Sequence, residues 1–363
     1  MNWPKKPTDF DFTVELNGQT CPARAGETVL DVAGRVGIEI PTLCHDPRLE
    51  PAGACRVCLV EVAGQRRLQP GCAWRVAAGM QITTESARIE RHRSVLYGLY
   101  LSDHAQDETG LPMETGNGNQ LRQLCQQTLP LQLERVEAPR LGREGDGNPY
   151  IEFNPDLCIL CARCTRYCDE VEAVNAITLS NRGSATTIAT VADRSLLDTT
   201  CELCGGCIDV CPTGALIEKK APLVMPLATQ TTRTTCNFCG VGCQLNLHTH
   251  NNRVIKVSSP PPGETLNDGN LCIKGRFAYD FIHHEDRITE PLIREPNGEL
   301  RTASWAEALR YAADGMNRVK VQYGADSLGF VSSARCTVEE NYLMQKLSRA
   351  VFGTNNVHQC AAT

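Results

Sequence analysis

Residues 158–170 read CILCARCTRYCDE, and residues 201–212 read CELCGGCIDVCP. Cys158, Cys161, Cys164 and Cys168 are spaced C-x2-C-x2-C-x3-C. Cys201, Cys204, Cys207 and Cys211 repeat the spacing, and Pro212 follows the last of them. Three thiolates on one tight loop cap three corners of a cubane, and the fourth cysteine of each run reaches across to the other cluster. The repeat therefore predicts two [4Fe–4S] sites. One uses Cys158, Cys161, Cys164 and Cys211; the other uses Cys168, Cys201, Cys204 and Cys207. A zinc site closes on a single set of four ligands, which does not account for two interleaved runs. Asp169 stands where the second run has Pro212, a departure at a position that is not a ligand. Gly205 and Gly206 suit close packing against a cluster.

Two further cysteine sets flank this repeat. Upstream, Cys44, Cys55, Cys58 and Cys72 are spaced C-x10-C-x2-C-x13-C. Four thiolates are what a [2Fe–2S] rhomb requires, two for each iron. The small residues Gly53 and Ala54 let the loop backbone approach the sulfides. Downstream, Cys236, Cys239, Cys243 and Cys272 are spaced C-x2-C-x3-C-x28-C, within TTCNFCGVGCQLNL and DGNLCIKGRF. Spacing alone leaves a four-cysteine zinc site open for both sets. Cys21, Cys125, Cys336 and Cys360 remain over, as packing or inert thiols.

The 363 residues suffice for two to four domains, and aromatics at 5% are lean for large apolar cores. The N-terminus MNWPKKPTDFDFTVEL lacks an apolar leader, and no run approaches a membrane span. A cytoplasmic location is expected, where thiols stay reduced, so the 20 cysteines do not suggest a disulfide scaffold. A net charge of −6 argues against nucleic-acid binding. No G-x-G-x-x-G dinucleotide fingerprint and no flavin motif occurs. Clusters without a hydride site make a one-electron wire.

Periodicity places the remaining elements. Phe12, Val14 and Leu16 alternate before Asn17-Gly18, predicting a β-hairpin. Residues 28–37 and 85–102 read as helices, and 106–120 as a polar loop. From about residue 304 the pattern turns α/β. Ser304 and Glu307 have capping-box spacing, as do Thr337 and Glu340. SLGFVSS reads as a strand, and Leu343, Leu347, Ala350 and Val351 share one face of the final helix, which Gly353 caps. A parallel strand there needs a partner strand, and its absence is expected to leave an open edge and an uncovered apolar helix face.

The loop around Cys44–Cys72 resembles the N-terminal ferredoxin-like domain of the large iron–sulfur subunit of NADH dehydrogenase and related formate dehydrogenases and hydrogenases. The Cys236 set resembles the N-terminal [4Fe–4S] domain of molybdenum/tungsten bis-pterin oxidoreductases. SSARCTVEENYLMQKLSRAVFGTNNVHQCA resembles the start of the pterin-binding domain of formate dehydrogenase α subunits. The resemblance implies a multi-domain α+β chain. A β-grasp [2Fe–2S] domain spans 1–84, and a helical and loop segment spans 85–145. A bacterial-ferredoxin-like 2[4Fe–4S] domain spans 146–222, the [4Fe–4S] pterin-oxidoreductase domain 229–290, and an incomplete α/β pterin-binding domain 291–363. It implies one [2Fe–2S] and three [4Fe–4S] clusters, with Lys274 of CIKG between the last cluster and the pterin.

The family also has a cluster on H-x3-C-x2-C-x5-C. Here His104 is kept, but Glu108, Leu111 and Asn117 occupy the cysteine positions, so that cluster is expected to be absent. The implied function is the electron-transfer portion of an NAD(P)- or ferredoxin-linked formate dehydrogenase, whose Mo- or W-bis-pterin guanine dinucleotide belongs to the full-length enzyme. The alternative is a stand-alone electron-transfer subunit of an NADH dehydrogenase-like or hydrogenase complex. The implied partners are a flavin/NAD(P)H-binding subunit and a small thioredoxin-like [2Fe–2S] subunit, or ferredoxin, in a hetero-oligomer. The family's selenocysteine or cysteine metal ligand aligns just past Thr363, so a UGA selenocysteine codon at that point is expected. No catalytic residue is expected within the chain itself.

Overall fold

The structure, a computed structural model, describes residues 10–128, 130, 132 and 147–360. The N-terminal stretch 1–9, most of 129–146 and the last residues 361–363, parts of the regions expected above, lie outside the described residues. The chain forms two units, Met1–Thr229 and Gln230–Thr363.

The first unit begins with the hairpin of β1 (Phe12–Leu16) and β2 (Gln19–Ala23). Asn17 and Gly18 turn it with φ of 51° and 79°, the left-handed pair whose twist matches the flanking strands. Helix α1 (Val29–Arg35) follows, with Thr28 and Asp31 forming a complete capping box. β3 (Leu59–Val62), β4 (Gln69–Pro70) and β5 (Gln81–Thr83) complete a sheet of order β2-β1-β5-β3-β4. β5 runs parallel to β1, while the other pairs are antiparallel. Pro22 and Pro70 both sit on edge strands, where a missing N–H spoils no ladder. Val29, Val32 and Ala33 of α1 share one core with Val14, Leu16, Val60 and Ile82 of the sheet.

Helix α2 (Ala87–Asp103), capped by Ser86, buries Ile89, Arg93, Tyr97 and Gly98 on one side. The buried Arg93 is compensated by carbonyls: Nε donates to Val57 O at 3.3 Å and Nη2 to Thr84 O at 3.4 Å. A polar loop follows, as its composition predicts. Helix α3 (Gln120–Gln127), capped by Asn119, was not legible from periodicity. The strands β6 (Ile151–Phe153) and β9 (Leu216–Glu218) pair and bracket both cysteine runs. Between them lie α4 (Arg163–Glu170), the hairpin β7 (Thr178–Ser180) and β8 (Thr187–Ala189), and α5 (Gly206–Asp209).

In the second unit, β10 (Gln230–Thr235), β11 (Gln244–His250) and β12 (Arg253–Ser258) form an antiparallel sheet. α6 (Ile273–Phe277) and the hairpin of β13 (Leu292–Arg294) and β14 (Leu300–Thr302) follow. The chain then runs through α7 (Trp305–Tyr323), β15 (Phe330–Ser333), α8 (Val338–Lys346) and β16 (Val357–Cys360). Thr337 and Glu340 form the full capping box, but Ser304 does not. Its hydroxyl accepts from Glu307 N, while the Glu307 carboxylate turns to Arg301 instead. Gly353 ends the last helical turn at φ 77°.

The expected unpartnered strand is corrected here. β16 pairs in parallel with β15 from Phe330↔Val357 to Ser333↔Cys360, so VHQC closes the βα unit. The apolar helix faces do remain open: Val338, Tyr342, Leu343 and Val351 are exposed, as are Trp305 and Leu309. Among the described residues, no helix is long and apolar enough to cross a membrane.

Candidate iron–sulfur sites

The upstream quartet lies in the loop between α1 and β3 and in the turn after β4. Cys44, Cys55, Cys58 and Cys72 are all buried, at 1–3% exposure. Their thiols interact: Cys44 hydrogen-bonds with Cys55 and Cys72, and Cys72 also with Cys58. Hydrogen bonds from its neighbours hold Cys44 far below an ordinary thiol and lower Cys58 to about 7; Cys55 and Cys72 are pushed far up.

The backbone also faces Cys44. The N–H groups of Ala54 and Cys55 point at its sulfur, the latter at 3.4 Å. Gly53 answers to its φ of 57°. Tyr100 of α2 fixes the loop from behind, donating to Cys55 O at 3.1 Å.

The two central runs share one backbone design. Leu160 and Leu203, before the second cysteine of each run, have φ of 55° and 54°. Ala162 and Gly205, after it, have φ of 58° and 71° and begin α4 and α5. Leu160 N donates to Cys158 Sγ and Leu203 N to Cys201 Sγ, each at 3.4 Å. This left-handed punctuation turns successive N–H groups toward the sulfurs, the nest geometry that favours an anionic group.

The eight cysteines of the two runs divide between two cavities. Cys168, Cys201, Cys204 and Cys207 line one cavity of about 330 Å³, walled by Ile151, Phe153, Val174 and Leu216. Cys158, Cys161, Cys164 and Cys211 line another, of about 20 Å³. The larger cavity receives further donors: Ala176 N to Cys168 Sγ at 3.2 Å and Gly206 N to Cys204 Sγ at 3.4 Å. Burial pushes the Cys161 thiol up to about 12, and Cys164 also rises well above normal. A thiolate at such depth needs a compensating cation, which iron supplies.

Gly206 also meets a constraint from the other repeat. A Cβ there would lie 2.0 Å from Tyr167 Cε1, so the missing side chain makes room for that ring.

In the second unit, Cys236 and Cys243 are half-buried around Leu245, Val257, Leu271 and Tyr279, and Cys236 N donates to Cys243 O at 2.8 Å. Burial and the neighbouring thiols, Cys239 and Cys272 included, raise both. Cys272 is exposed at the start of α6, and Lys274 is exposed within that helix. Among the described residues, no group of three or more His, Cys, Asp or Glu is arranged to hold a single metal ion.

His104 ends α2 and is fully buried, with Nδ1 2.7 Å from Ala105 O. Leu111 packs beside Leu121 and Cys125, and Asn117 donates to Leu216 O at 3.1 Å. Cys21 and Cys125 are buried packing residues, and Cys336 is exposed. The sequence reading missed Asp46, Arg48 and the arginines of α4 around these sites. The spacing of Arg163, Arg166, Tyr167 and Glu170, one helical stripe, was the available signal.

Four thiol sets, buried or half-buried for the most part and faced in the first unit by backbone N–H groups, suit iron–sulfur chemistry. Residues 11–87 match the family described as 2Fe-2S iron-sulfur cluster binding domain, and residues 148–217 the NADH-quinone oxidoreductase subunit 3 ferredoxin-like domain. Residues 229–284 match the molybdopterin oxidoreductase Fe4S4 domain, and residues 287–363 the family described as molybdopterin oxidoreductase. The NADPH-Fe(3+) oxidoreductase subunit alpha of Geobacter sulfurreducens is 37% identical over 95% of this chain and 40% of its own length. A subunit of the NADH-quinone oxidoreductase of Rhizobium meliloti is 37% identical over 95% of this chain and 39% of its own. The putative formate dehydrogenase YrhE of Bacillus subtilis is 30% identical over 96% and 40%.

The chain thus spans about two fifths of the length of these relatives. The crystal structure of an NAD+-reducing [NiFe]-hydrogenase in the H2-reduced state aligns with a TM-score of 0.52 and 28% identity, covering 60% of this chain and 91% of that one. The chain is homologous to the N-terminal iron–sulfur region of molybdopterin oxidoreductases, a region shared with NADH-quinone oxidoreductases and formate dehydrogenase-like proteins.

Proposed function

We propose that this chain is the electron-conducting portion of a pterin-dependent oxidoreductase complex, joining a flavin- or ferredoxin-type partner to a Mo or W site. The observation that carries this reading is the interleaved grouping of the two central cysteine runs into two thiol-lined cavities. Iron–sulfur clusters supply reversible one-electron storage when bound. The residues do the rest. Cys44, Cys55, Cys58 and Cys72 would hold a [2Fe–2S] centre. The interleaved sets and Cys236, Cys239, Cys243 and Cys272 would each hold a [4Fe–4S] centre. Backbone N–H groups and burial around the sulfurs set how readily each accepts an electron.

Formate/CO2 interconversion is the substrate reading, supported by the C-terminal stretch and by relatives named putative formate dehydrogenases. Lys274 would then lie between the last cluster and the pterin. A second reading, an electron-transfer subunit of an NADH dehydrogenase-like or hydrogenase complex, is favoured by the alignment with nearly the whole of a hydrogenase chain.

Anaerobic purification with iron and sulfide analysis tests the core proposal. About fourteen iron atoms per chain are expected, from one rhomb and three cubanes. Zinc in place of iron would refute it. Formate-driven against NADPH-driven reduction of the clusters in the full-length protein separates the two substrate readings.

A further inference from the structure

Helix α4 has two working stripes. Cys164 and Cys168, one turn apart, enter the two different thiol-lined cavities. The stripe of Arg163, Arg166, Tyr167 and Glu170 meets the loop that follows Cys44. Arg166 donates to the carbonyl of Cys44 itself and to Glu50 O at 2.7 Å. The Glu170 carboxylate accepts from Glu50 N at 2.7 Å. Asp46, 3% exposed, takes a two-point bond from Arg48, Nε to Oδ1 and Nη2 to Oδ2, both at 3.0 Å. Arg163, 8% exposed, approaches the same carboxylate at 3.5 Å and donates to Gln120 Oε1 at 3.2 Å. The Arg48 guanidinium lies over the Tyr167 ring, 4.9 Å from its centre.

A buried guanidinium, Arg163, and a half-buried one, Arg48, thus share one buried carboxylate between the Cys44 loop and the first turn of α4. An exposed ion pair contributes little and is readily dispensed with, but buried charges are costly unless they are paired. Their placement is informative for a second reason. Asp46 follows Cys44 by two residues, and Arg163 stands between Cys161 and Cys164. Buried charge beside a redox centre shifts its potential, because added electron density is attracted by a cation and repelled by an anion through a medium of low dielectric.

We infer that Asp46, Arg48 and Arg163 form an electrostatic joint that fixes the Cys44 loop against α4 and sets the balance of one electron shared between the upstream thiol quartet and the set on Cys158, Cys161, Cys164 and Cys211. These are positioning residues, since they act on the two sites without ligating either. The inference rests on the cluster reading proposed above.

The experiment is an EPR-monitored redox titration of the full chain with its clusters, comparing Asp46→Asn, Arg163→Gln and Arg163→Lys. Removing the anion should raise the potential of the [2Fe–2S] signal, and removing the cation should lower that of the neighbouring cubane. Each shift should reach about threefold to tenfold in electron occupancy, tenfold being 59 mV for a one-electron couple. Arg163→Lys keeps the charge and should stay near the unmodified value. Shifts of one sign in both charge-removing variants, or a lysine variant that behaves like the glutamine one, would mark mere structural damage and overturn the joint. Unmoved potentials would overturn it as well. If Asp46→Asn loses its iron, the two Arg163 variants decide between these outcomes. Absence of cluster signals in the unmodified chain would overturn the cluster reading itself, a different failure from clusters present with unmoved potentials.

Discussion

Gly206→Ala should damage the central lobe although it adds one methyl group. The new Cβ would lie 2.0 Å from Cε1, 2.4 Å from Cζ and 2.6 Å from the hydroxyl oxygen of Tyr167. Ordinary carbon contacts fall at about 3.5–4.0 Å, so the ring must retreat by about 1.5 Å. It has little freedom to do so. Tyr167 is 1% exposed, its hydroxyl donates to Glu172 Oε1 at 2.8 Å, and Arg48 lies over its ring. Overpacking costs about 1–3 kcal/mol. Losing a hydrogen bond to a carboxylate adds about 1.5–3 kcal/mol. Better helix propensity in α5 returns about 1 kcal/mol.

The net is a loss of about 1.5–5 kcal/mol, roughly 10-fold to 5,000-fold in the local folding equilibrium. Cluster bleaching under a chelator, followed by visible absorbance, reads this loss where Cys204 and Cys207 flank the substitution. Tyr167→Ala in the same chain removes the clash, so the double variant should bleach more slowly than the two single effects combined predict, with a coupling of at least about 2 kcal/mol. A Gly206→Ala protein as stable as the parent, or a double variant with additive losses, would refute the packing account.

Ala162 occupies the left-handed position that Gly205 holds in the second repeat. Ala162→Gly should therefore stabilise the chain by about 1 kcal/mol, and Gly205→Ala should destabilise it by a similar amount, read from denaturant midpoints. Gly34→Ala, inside α1 with nothing within 4 Å of the added Cβ, should stabilise by about 0.5–1 kcal/mol in the same assay. Interleaving is tested by iron counts: Cys168→Ser with Cys201→Ser should cost about four irons, whereas Cys168→Ser with Cys158→Ser should cost about eight.

Much of this was legible because it depends on short-range chemistry. The Asn17-Gly18 turn, the Thr337–Glu340 cap and the repeat around Cys158 and Cys201 are local, and each occurs within a few residues. What escaped depends on contacts between distant residues. Gly206 suggested close packing, but that a tyrosine from the other repeat also needs its missing side chain was not visible locally. β16 was hidden because VHQC has no alternation strong enough to mark it, and only β15 gives it a register. Glu307 satisfied the capping spacing at Ser304, yet the guanidinium of Arg301 offered the stronger partner. Asp46 and Arg163 are 117 residues apart, and nothing local to either announces the other.

The loop after His104 shows how a position can be kept without thiols. His104 is buried at the end of α2, and Ala105 N donates to Asp156 O at 2.8 Å. Asp107 Oδ1 gathers Thr109 N at 2.8 Å and Thr109 Oγ1 at 2.6 Å, while Arg122 pairs with its other oxygen and reaches Pro112 O at 2.8 Å. Asn119 caps α3 and returns its amide to Met113 O at 2.9 Å. The far side is tied to the cysteine lobe through Asn117 to Leu216 O and through Gln120 N to Pro212 O at 2.7 Å. Close approach completes the fit: Gly116 lies against Pro222 O, and Gly214 against the Thr115 side chain. An Asp–Arg pair, two asparagines and two glycines thus hold the loop between α2 and α3 against the cysteine lobe, each through ordinary hydrogen-bond or van der Waals chemistry.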